Sequence, residues 1–319
     1  MELKDIELAK ERLKEVLKPT PLIKTSLVDD FNLYIKPENL QVTGSFKIRG
    51  AYNYISSLTS EEKAKGVIAC SAGNHAQGVA LAGKLMGVKT VVCMPASAPK
   101  IKVENTKKLG AEVVLVDGVY DDAYEKALEL SEQFGYTFAH PFNDEDVIAG
   151  QGTIALEILD ELPETDVIIT SIGGGGLISG IAYAAKTIKP TIKVIGIQST
   201  GAPSMYASFA SGYITKLRKV KTFADGIAVK EVGNITFDYV NKYVDDILTL
   251  TDEDILEALK LLMQKEKLIA EGAGVASVAL ALKHQIPGLH KGMNVVCVVS
   301  GGNIDIDVLS NIVLNGFND

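Results

Sequence analysis

The order of apolar and polar positions along the chain predicts alternating helices and buried strands. Near the start, Ile6, Ala9, Leu13 and Val16 keep a helical spacing with charged residues between them, which predicts an amphipathic helix. Short apolar runs rich in β-branched residues then alternate with segments of helical length. These runs predict strands at residues 67–70, 90–94, 112–116, 167–172, 193–197 and 294–299. Helices are predicted at residues 74–85, 100–109, 121–134, 177–188 and 253–264, from Ala51 and after Asp305.

Nearly continuous apolar strands separated by helices are typical of parallel sheets that are covered on both faces. The predicted fold class is therefore α/β. At 319 residues the chain is long for one core, and two packed α/β lobes suit it better. Residues 199–221, where Gly, Ser, Pro and Lys interrupt the pattern, are expected to form an irregular connection within the larger lobe.

Composition and charge narrow the function classes. The chain is 47% hydrophobic and 23% charged, as in ordinary globular proteins, and its net charge of −8 argues against non-specific nucleic-acid binding. The amino terminus begins an amphipathic helix rather than a signal peptide, and no apolar stretch could span a bilayer, so a cytoplasmic location is expected. Cys70, Cys93 and Cys297 each lie in a predicted strand, which favours reduced core thiols.

A run of four glycines follows the predicted strand 167–172 and precedes a predicted helix. The four are Gly173, Gly174, Gly175 and Gly176. Glycine lets the backbone approach an anion, and the amides and dipole of a helix start hold negative charge. The sequence satisfies neither the dinucleotide GxGxxG pattern nor the Gly-Lys-Ser/Thr of a P-loop. A tight strand–helix turn without a ligand explains this glycine loop equally well when it is considered alone.

Lys47 lies in a short glycine-bounded segment, Gly44-Ser45-Phe46-Lys47-Ile48-Arg49-Gly50. A lysine nucleophile must be partly neutral, so it requires a desolvated site or a neighbouring cation. Arg49 is a candidate for that cation, or it pairs with an acid elsewhere. A solvated surface amine is the alternative for Lys47 when it is considered alone.

Two further polar turns follow predicted strands. The segment Ser71-Ala72-Gly73-Asn74-His75-Ala76-Gln77-Gly78 lies where open α/β sheets bind ligands, and its amides and side chains suit a carboxylate or phenolate oxygen. A simple N-capping turn is compatible with the same residues. Ser300 precedes two glycines and could serve a ring nitrogen or only form a turn. An imine-forming lysine, a polar turn and an anion cradle together point to pyridoxal 5′-phosphate and to amino-acid chemistry.

The four histidines show no metal-ligand spacing, and the sequence contains neither HExxH nor the Gly-x-Ser-x-Gly of serine hydrolases. No metal site is predicted. His140, His284 and His290 are expected to be structural or surface residues.

Taken together, these segments resemble the fold-type II pyridoxal-phosphate enzymes, specifically the threonine/serine ammonia-lyase (dehydratase) branch. The resemblance covers nearly the whole chain. It includes Ala149-Gly150-Gln151-Gly152-Thr153, Ala224-Asp225-Gly226, Glu271-Gly272-Ala273-Gly274 and Ser300-Gly301-Gly302-Asn303. It implies two open twisted α/β lobes, tryptophan synthase β-like, with the cofactor in the cleft between them. Residues 1–50 and 145–319 would form the large cofactor-binding domain and residues 51–144 a small inserted domain, with no C-terminal regulatory domain.

The same resemblance implies a role for each candidate residue. Lys47 would carry the cofactor as a Schiff base, and Ser300 would face its pyridine nitrogen. Other residues implied to bind the cofactor are Phe46, Asn74, Gly173, Gly174, Gly175, Gly176, Gly226 and Glu271. The residues implied to hold the substrate carboxylate are Ser71, Ala72, Gly73, Asn74 and His75.

Three departures separate the chain from related branches. Serine racemases place a serine where this chain has Ala72, so racemisation is expected to be poor. Acidic ligands for a structural cation are replaced by the neutral Gln198 and Ser204. Ile48 and His75 differ from the residues of the sulfhydrylases, which argues against β-replacement.

The activity implied by the resemblance is elimination on L-threonine, giving 2-oxobutanoate and ammonia, with L-serine as a second substrate giving pyruvate. A homodimer or homotetramer is expected, with no nucleic-acid or membrane partner. The alternatives are a serine racemase-like isomerase, a non-catalytic pyridoxal-phosphate protein and a nucleotide-binding protein.

Overall fold

The computed structural model describes residues 1–283 and 286–315. His284 and the last four residues of the expected large domain lie outside these ranges. The chain divides into two compact units. Unit 1 contains Met1–Leu17 and Lys47–Gln151, and unit 2 contains Lys18–Phe46 and the chain from Gly152 onward. Among the described residues, no helix is long and apolar enough to cross a membrane.

Helices and strands alternate along the described chain. The helices are α1 (Leu3–Leu13), α2 (Lys47–Ser57), α3 (Ser60–Lys65), α4 (Asn74–Met86), α5 (Lys100–Lys108), α6 (Tyr120–Phe134), α7 (Glu145–Glu161), α8 (Gly176–Ile188), α9 (Ser204–Ser211), α10 (Asn234–Tyr243), α11 (Asp252–Leu261), α12 (Gly272–Leu282) and α13 (Ile306–Asn315). The strands are β1 (Ile23–Thr25), β2 (Asn32–Pro37), β3 (Val67–Cys70), β4 (Thr90–Pro95), β5 (Glu112–Val116), β6 (Thr137–Phe138), β7 (Val167–Ser171), β8 (Lys193–Ser199), β9 (Asp246–Leu250) and β10 (Asn294–Val299).

Unit 1 is built on a four-stranded parallel sheet with the order β5-β4-β3-β6. Every residue of β3 is buried, because its side chains alternate between two apolar clusters. Val67 and Ala69 face a cluster with α1, α2 and α4, whereas Ile68 and Cys70 face a cluster with α6. Coverage on both faces explains the uninterrupted apolar run in the sequence.

Unit 2 contains a six-stranded sheet with the order β1-β2-β10-β7-β8-β9. β1 is antiparallel to β2, and all other pairs are parallel. Val295, Cys297 and Val299 of β10 pack in one core cluster with Val275 and Val278 of α12. Because β7 and β10 are parallel neighbours, their carboxyl ends lie at the same edge of this sheet.

The predicted α/β class is confirmed, and strands 67–70, 112–116 and 294–299 have the predicted bounds. The prediction that the second helix starts at Ala51 was wrong, because α2 begins at Lys47. Ser45 pairs with Gly301 in an extended bridge, and the Phe46 amide donates to the Ser300 carbonyl at 3.1 Å. The chain leaves this pairing and turns helical at once.

Other elements were not predicted at all. They include β1, β2, α7, α10, α12 and β9. The supposedly irregular connection at residues 199–221 contains α9, whose buried face includes Ser204 and Ser208 as well as Met205. Serines on a buried face hide the apolar period of this helix.

The compact units differ from the expected domain bounds in three places. Residues 1–17, 47–50 and 145–151 belong to the unit that contains residues 51–144. The reason is packing, since Leu13 and Leu17 share a core cluster with Ile48, Ala51 and Ile55.

A buried ion pair lies inside unit 2. Lys36 at the end of β2 is fully buried, and its Nζ lies 2.6 Å from Glu157 Oε2 on α7. The same amine donates to the Thr20 carbonyl at 2.5 Å. The buried Glu38 accepts a hydrogen bond from Thr20 Oγ1 at 2.7 Å. These contacts tie residues 20–38 to the carboxyl-terminal half of α7.

Candidate active site

Lys47 lies in the first turn of α2, and its Nζ donates to the Pro141 carbonyl oxygen at 2.8 Å. Helix α4 lies close to this turn at Gly78. A Cβ on Gly78 would lie 3.1 Å from the Lys47 carbonyl carbon and 3.2 Å from the Ile48 nitrogen. Glycine therefore lets α4 lie against the backbone of the lysine turn.

The segment after β3 forms an open polar turn at the start of α4. Ser71 Oγ accepts a hydrogen bond from the Gly73 amide at 3.2 Å. Gly73 is the N-cap of α4 and provides no side-chain cap. The first amides of a helix have no partner within the helix, so they suit an anion. A Cβ on Gly73 would meet no atom within 4 Å, so the turn is open on that side.

His75 is 3% exposed, and its Nε2 lies 2.9 Å from the Ala139 carbonyl oxygen. A carbonyl can only accept, so His75 donates from Nε2. Burial, and secondarily the charge of Lys47, lowers the pKa of His75 to about 3. The His75 side chain is therefore neutral and hydrogen-bonded to the Ala139 carbonyl, so it offers an anion no positive charge.

Ala72 belongs to the same turn but has an apolar environment. Its side chain packs against a cluster that includes Ala76, Val92 and Met94. Neither the methyl group nor this cluster can transfer a proton.

The glycine loop connects β7 to α8 in unit 2. Gly175 has φ +101°, and a Cβ there would lie 2.7 Å from Met205 Cε and 2.8 Å from Thr236 Cβ. Thr236 Oγ1 donates to the Gly174 carbonyl at 2.6 Å and so connects the loop to α10. Helix α8 begins at Gly176 without a side-chain cap. Its first amides are thus available to an anion.

Two further predicted residues of unit 2, Gly226 and Glu271, lie beside this loop. A Cβ on Gly173 would lie 3.1 Å from the Gly226 carbonyl oxygen, and a Cβ on Gly226 would lie 3.4 Å from Glu271 Oε1. Glu271 is 5% exposed, and its amide donates to the Gly301 carbonyl at 3.0 Å. The glycine loop, Gly226 and Glu271 therefore form one contiguous group.

Ser300 follows β10 and is 2% exposed. Its Oγ lies 3.3 Å from Ser171 Oγ and 3.4 Å from the Ala273 carbonyl oxygen. Asn303 Nδ2 donates to the Thr43 carbonyl at 2.7 Å, so the turn after β10 holds the segment that leads to Phe46. The Ser300 hydroxyl can donate or accept a hydrogen bond, but it carries no charge.

The predicted residues thus form two groups, each within one unit. The lysine cluster consists of Lys47 and residues 71–75. The glycine-loop cluster consists of residues 173–176, Gly226, Glu271, Ser300 and Phe46, whose amide donates to the Ser300 carbonyl. Sequence reasoning missed Pro141, which accepts from Lys47, and Thr236, which holds the glycine loop. Both belong to segments far away in the chain, and no local pattern distinguishes them.

Gln198 occupies one of the expected cation-ligand positions. Its Nε2 donates to the Ile172 carbonyl at 3.1 Å, and its Oε1 accepts from the Tyr206 amide at 2.8 Å. Both ends of the amide therefore serve the protein itself.

These residues fit pyridoxal phosphate. The glycine loop is a backbone cradle that a Cβ at Gly173 or Gly175 would crowd, and it ends at uncapped helix amides that suit a phosphate. Lys47 supplies an amine for an aldehyde, with a neutral carbonyl as acceptor.

Comparison with known proteins agrees with this fit. Residues 13–301 match the family described as pyridoxal-phosphate dependent enzymes. The chain belongs to this family, so the predicted family and cofactor are confirmed.

Individual relatives cover nearly the whole chain. The L-threonine ammonia-lyase of Thermotoga maritima is 47% identical over 317 residues, covering 98% of this chain and 78% of that protein. The processed form of threonine deaminase isoform 2 from Solanum lycopersicum has a TM-score of 0.93 at 40% identity, covering 98% of this chain and 86% of that one. Maize serine racemase has a TM-score of 0.93 at 36% identity, covering 98% of this chain and 96% of that one.

Proposed function

We propose that this chain is an L-threonine ammonia-lyase that converts L-threonine to 2-oxobutanoate and ammonia and, as a second substrate, L-serine to pyruvate and ammonia. The observation that carries the proposal is the lysine cluster. It combines an amine in a helical turn with an open, uncapped turn for a carboxylate, in contact through Gly78. The 47% identity to an L-threonine ammonia-lyase supports the choice of substrate.

Each group of residues has a distinct task in this proposal. When bound, pyridoxal phosphate supplies an electron sink that weakens the bonds at the substrate α-carbon. Lys47 would hold the cofactor aldehyde, and residues 173–176 would hold its phosphate. The amides at residues 71–75 would orient the substrate carboxylate. The freed Lys47 Nζ would accept the α-proton, which requires a neutral amine.

Two neutral residues favour elimination over other outcomes. Ser300 cannot supply a charge to a ring nitrogen, so it does not encourage full protonation of the ring. Ala72 cannot return a proton to the α-carbon, because it is a methyl group packed on apolar side chains. Lys47 would therefore act on one face of the substrate, and loss of the β-hydroxyl group would follow.

A serine racemase-like isomerase is the second candidate. It is favoured by the TM-score of 0.93 with maize serine racemase, which equals the value for the threonine deaminase. The backbone fold is common to both activities, so side chains such as Ala72 must distinguish them.

Absorbance and product analysis of the purified protein test the proposal. We expect an imine absorbance band after addition of pyridoxal phosphate, and release of 2-oxobutanoate on addition of L-threonine. Lys47→Ala should lose both, whereas the matched control Lys108→Ala, at an exposed position on α5, should retain both.

Three results would contradict the proposal in different ways. A protein that takes up no pyridoxal phosphate would exclude it altogether. An imine band without 2-oxo acid would indicate a non-catalytic carrier. Appreciable D-serine from L-serine, detected by chiral chromatography, would favour the isomerase.

We further propose a cytoplasmic homodimer or homotetramer. Cys70, Cys93 and Cys297 are buried and unpaired by disulfides, which suits a reducing compartment. The oligomeric state rests on the resemblance to the ammonia-lyase family alone. Sedimentation equilibrium of the purified protein would test this, and a monomer at micromolar concentration would exclude it.

A further inference from the structure

The imidazole of His140 is the centre of a tight turn in unit 1. Its Nδ1 accepts hydrogen bonds from the Asn143 amide at 2.8 Å and from the Phe142 amide at 3.2 Å. An Nδ1 that accepts carries no proton, so the neutral ring must be protonated at Nε2. Burial, and secondarily the charge of Lys47, lowers the pKa of His140 to about 4, which keeps the ring neutral at physiological pH.

The ring is also fixed by its aromatic neighbours and by the sheet. Phe142 meets it edge-on with ring centroids 4.6 Å apart, and Phe138 lies 6.2 Å away in a similar arrangement. Phe138 ends β6, and the Ala139 amide donates to the Ile68 carbonyl on β3 at 2.8 Å. The imidazole therefore sits on a rigid base, and the backbone that follows it wraps around Nδ1.

Pro141 lies inside this turn. Proline has a fixed φ and no amide hydrogen, so its carbonyl is the group that it offers to neighbours. That carbonyl accepts from Lys47 Nζ at 2.8 Å. The direction of the Pro141 carbonyl depends on the turn, and the turn depends on the two hydrogen bonds to His140 Nδ1.

We propose that His140 is a positioning residue for Lys47: its Nδ1 folds residues 140–143 into the turn that presents the Pro141 carbonyl to the Lys47 amine. The carbonyl gives that amine a defined resting place whenever it is not bound to carbon. The inference rests on the proposed function only in taking Lys47 as the reactive amine. His140 itself is not required to touch the substrate.

The test measures the Lys47 amine in the protein without cofactor. Lysines are labelled with formaldehyde and cyanoborohydride across a pH series, and the extent at Lys47 is read by peptide mass spectrometry against the exposed Lys108. The variants are His140→Ala, His140→Gln and His140→Asn. Asparagine places an oxygen close to the Nδ1 position and can accept from the same two amides, as in an Asx turn. Glutamine places its oxygen one methylene further out.

A carbonyl acceptor stabilises an ammonium, so loss of the turn should make Lys47 easier to deprotonate. We expect His140→Ala and His140→Gln to shift the Lys47 labelling curve to lower pH by about 1 unit. Labelling near neutral pH should then be about tenfold faster than in the wild-type protein. His140→Asn should keep the wild-type curve. Lys108 should label alike in all four proteins.

The same Lys47 curve in wild type, His140→Ala and His140→Gln would overturn the inference. So would an Asn variant that behaves like the Ala variant. If His140→Ala does not fold, the Gln and Asn pair decides the question alone. Failure of the proposed function is seen separately, as absence of an imine band and of 2-oxobutanoate in the wild-type protein.

Discussion

Burial, more than the charge of Lys47, sets the protonation state of the two histidines near this lysine. His75 and His140 are both held neutral, and each uses a ring nitrogen to bind backbone atoms of residues 139–143. The sequence predicted an amine and a polar turn here. It could not predict Pro141 as the acceptor of Lys47, because the two residues are 94 positions apart. Residue identity indicates what chemistry a group can do, and only packing selects its partner.

The two histidines make the stability of the fold depend on pH. Their pKa values are about 3 and about 4 in the folded protein, compared with roughly 6.5 in an unfolded chain. Below about pH 6.5 these histidines are protonated in the unfolded chain but remain neutral in the folded protein. Their contribution to the free energy of unfolding is therefore fully present above about pH 6.5 and is lost as the pH falls toward the folded pKa values. Each histidine should lower the free energy of unfolding by about 2 kcal/mol between pH 7 and pH 5.

Urea unfolding at pH 7 and pH 5 measures this loss. His75→Gln keeps a donor for the Ala139 carbonyl but cannot be protonated, so it should remove about half of the loss that the two histidines cause. His290→Asn, at an exposed histidine, is the matched control and should leave the loss unchanged. Equal losses in all three proteins would contradict the assignment.

Ala72 gives a second prediction at this scale. Ala72→Ser introduces a hydroxyl that can transfer a proton at the position where serine racemases carry serine. We expect D-serine formation from L-serine to rise by about 10²-fold, because general acid–base groups contribute effects of this size. Chiral chromatography measures it, and Ala72→Gly is the control without a proton-transferring group. A Ser variant no better than the Gly variant would show that this position does not limit racemisation.

At the scale of elements, the predicted strands are those with a nearly continuous apolar run, whereas helices were missed even where they are apolar, as in α12. The prediction also missed α7, where Gly150 and Gly152 interrupt the helical pattern. A Cβ on Gly150 would lie 2.5 Å from the Arg49 carbonyl oxygen, so α2 and α7 can approach only at a glycine. Glycine lowers helix propensity, and tertiary packing overrides that cost here. Close backbone contacts of this kind leave no periodic signal in a sequence.

The glycine loop gives a prediction at this scale. Gly175→Ala combines an unfavourable positive φ with a Cβ only 2.7 Å from Met205 Cε. Gly212 is a matched control, because its φ is +78° but a Cβ there would meet nothing within 4 Å. We expect a cost of about 1 kcal/mol for Gly212→Ala and about 2–4 kcal/mol for Gly175→Ala.

Urea unfolding of the protein without cofactor gives both values. Gly175→Ala should also retain less pyridoxal phosphate after dialysis, as seen from the loss of the imine band. Equal stability of the two variants would show that the loop relaxes without cost.

The ion pair between β2 and α7 gives a further prediction. Lys36→Met leaves Glu157, with a side chain only 10% exposed, without its ammonium partner, and should cost about 3–5 kcal/mol. The double variant Lys36→Met/Glu157→Met should be more stable than the single one, because the carboxylate that has lost its ammonium partner is removed as well. Lys14→Met, at an exposed pair with Glu11, should cost less than about 1 kcal/mol. Urea unfolding measures the free energy of unfolding of each variant. A double variant less stable than Lys36→Met would contradict this prediction.

At the scale of the whole molecule, the sequence predicted two α/β units, but the predicted division at residues 51–144 differs from the compact units of the structure. Unit 1 takes the first 17 residues and then resumes at Lys47, so each unit is built from separate stretches of chain. Apolar patterns report which residues are buried. They do not report which core buries them, and helix α1 could have joined either unit.

The position of β10 has a consequence for how the protein is made. In the sheet of unit 2 this strand lies between β2 and β7, yet it is the last of the six to leave the ribosome. β2 must therefore wait for more than 250 residues of synthesis before its parallel neighbour exists. Contacts so distant in sequence form late, because loop closure must come first. Nascent chains that end before Asn294 should remain sensitive to protease throughout unit 2, and early protease resistance there would contradict this order. Because the sheet of unit 2 is incomplete for most of synthesis, the nascent chain must be protected during that time from aggregation with neighbouring chains on the same polysome.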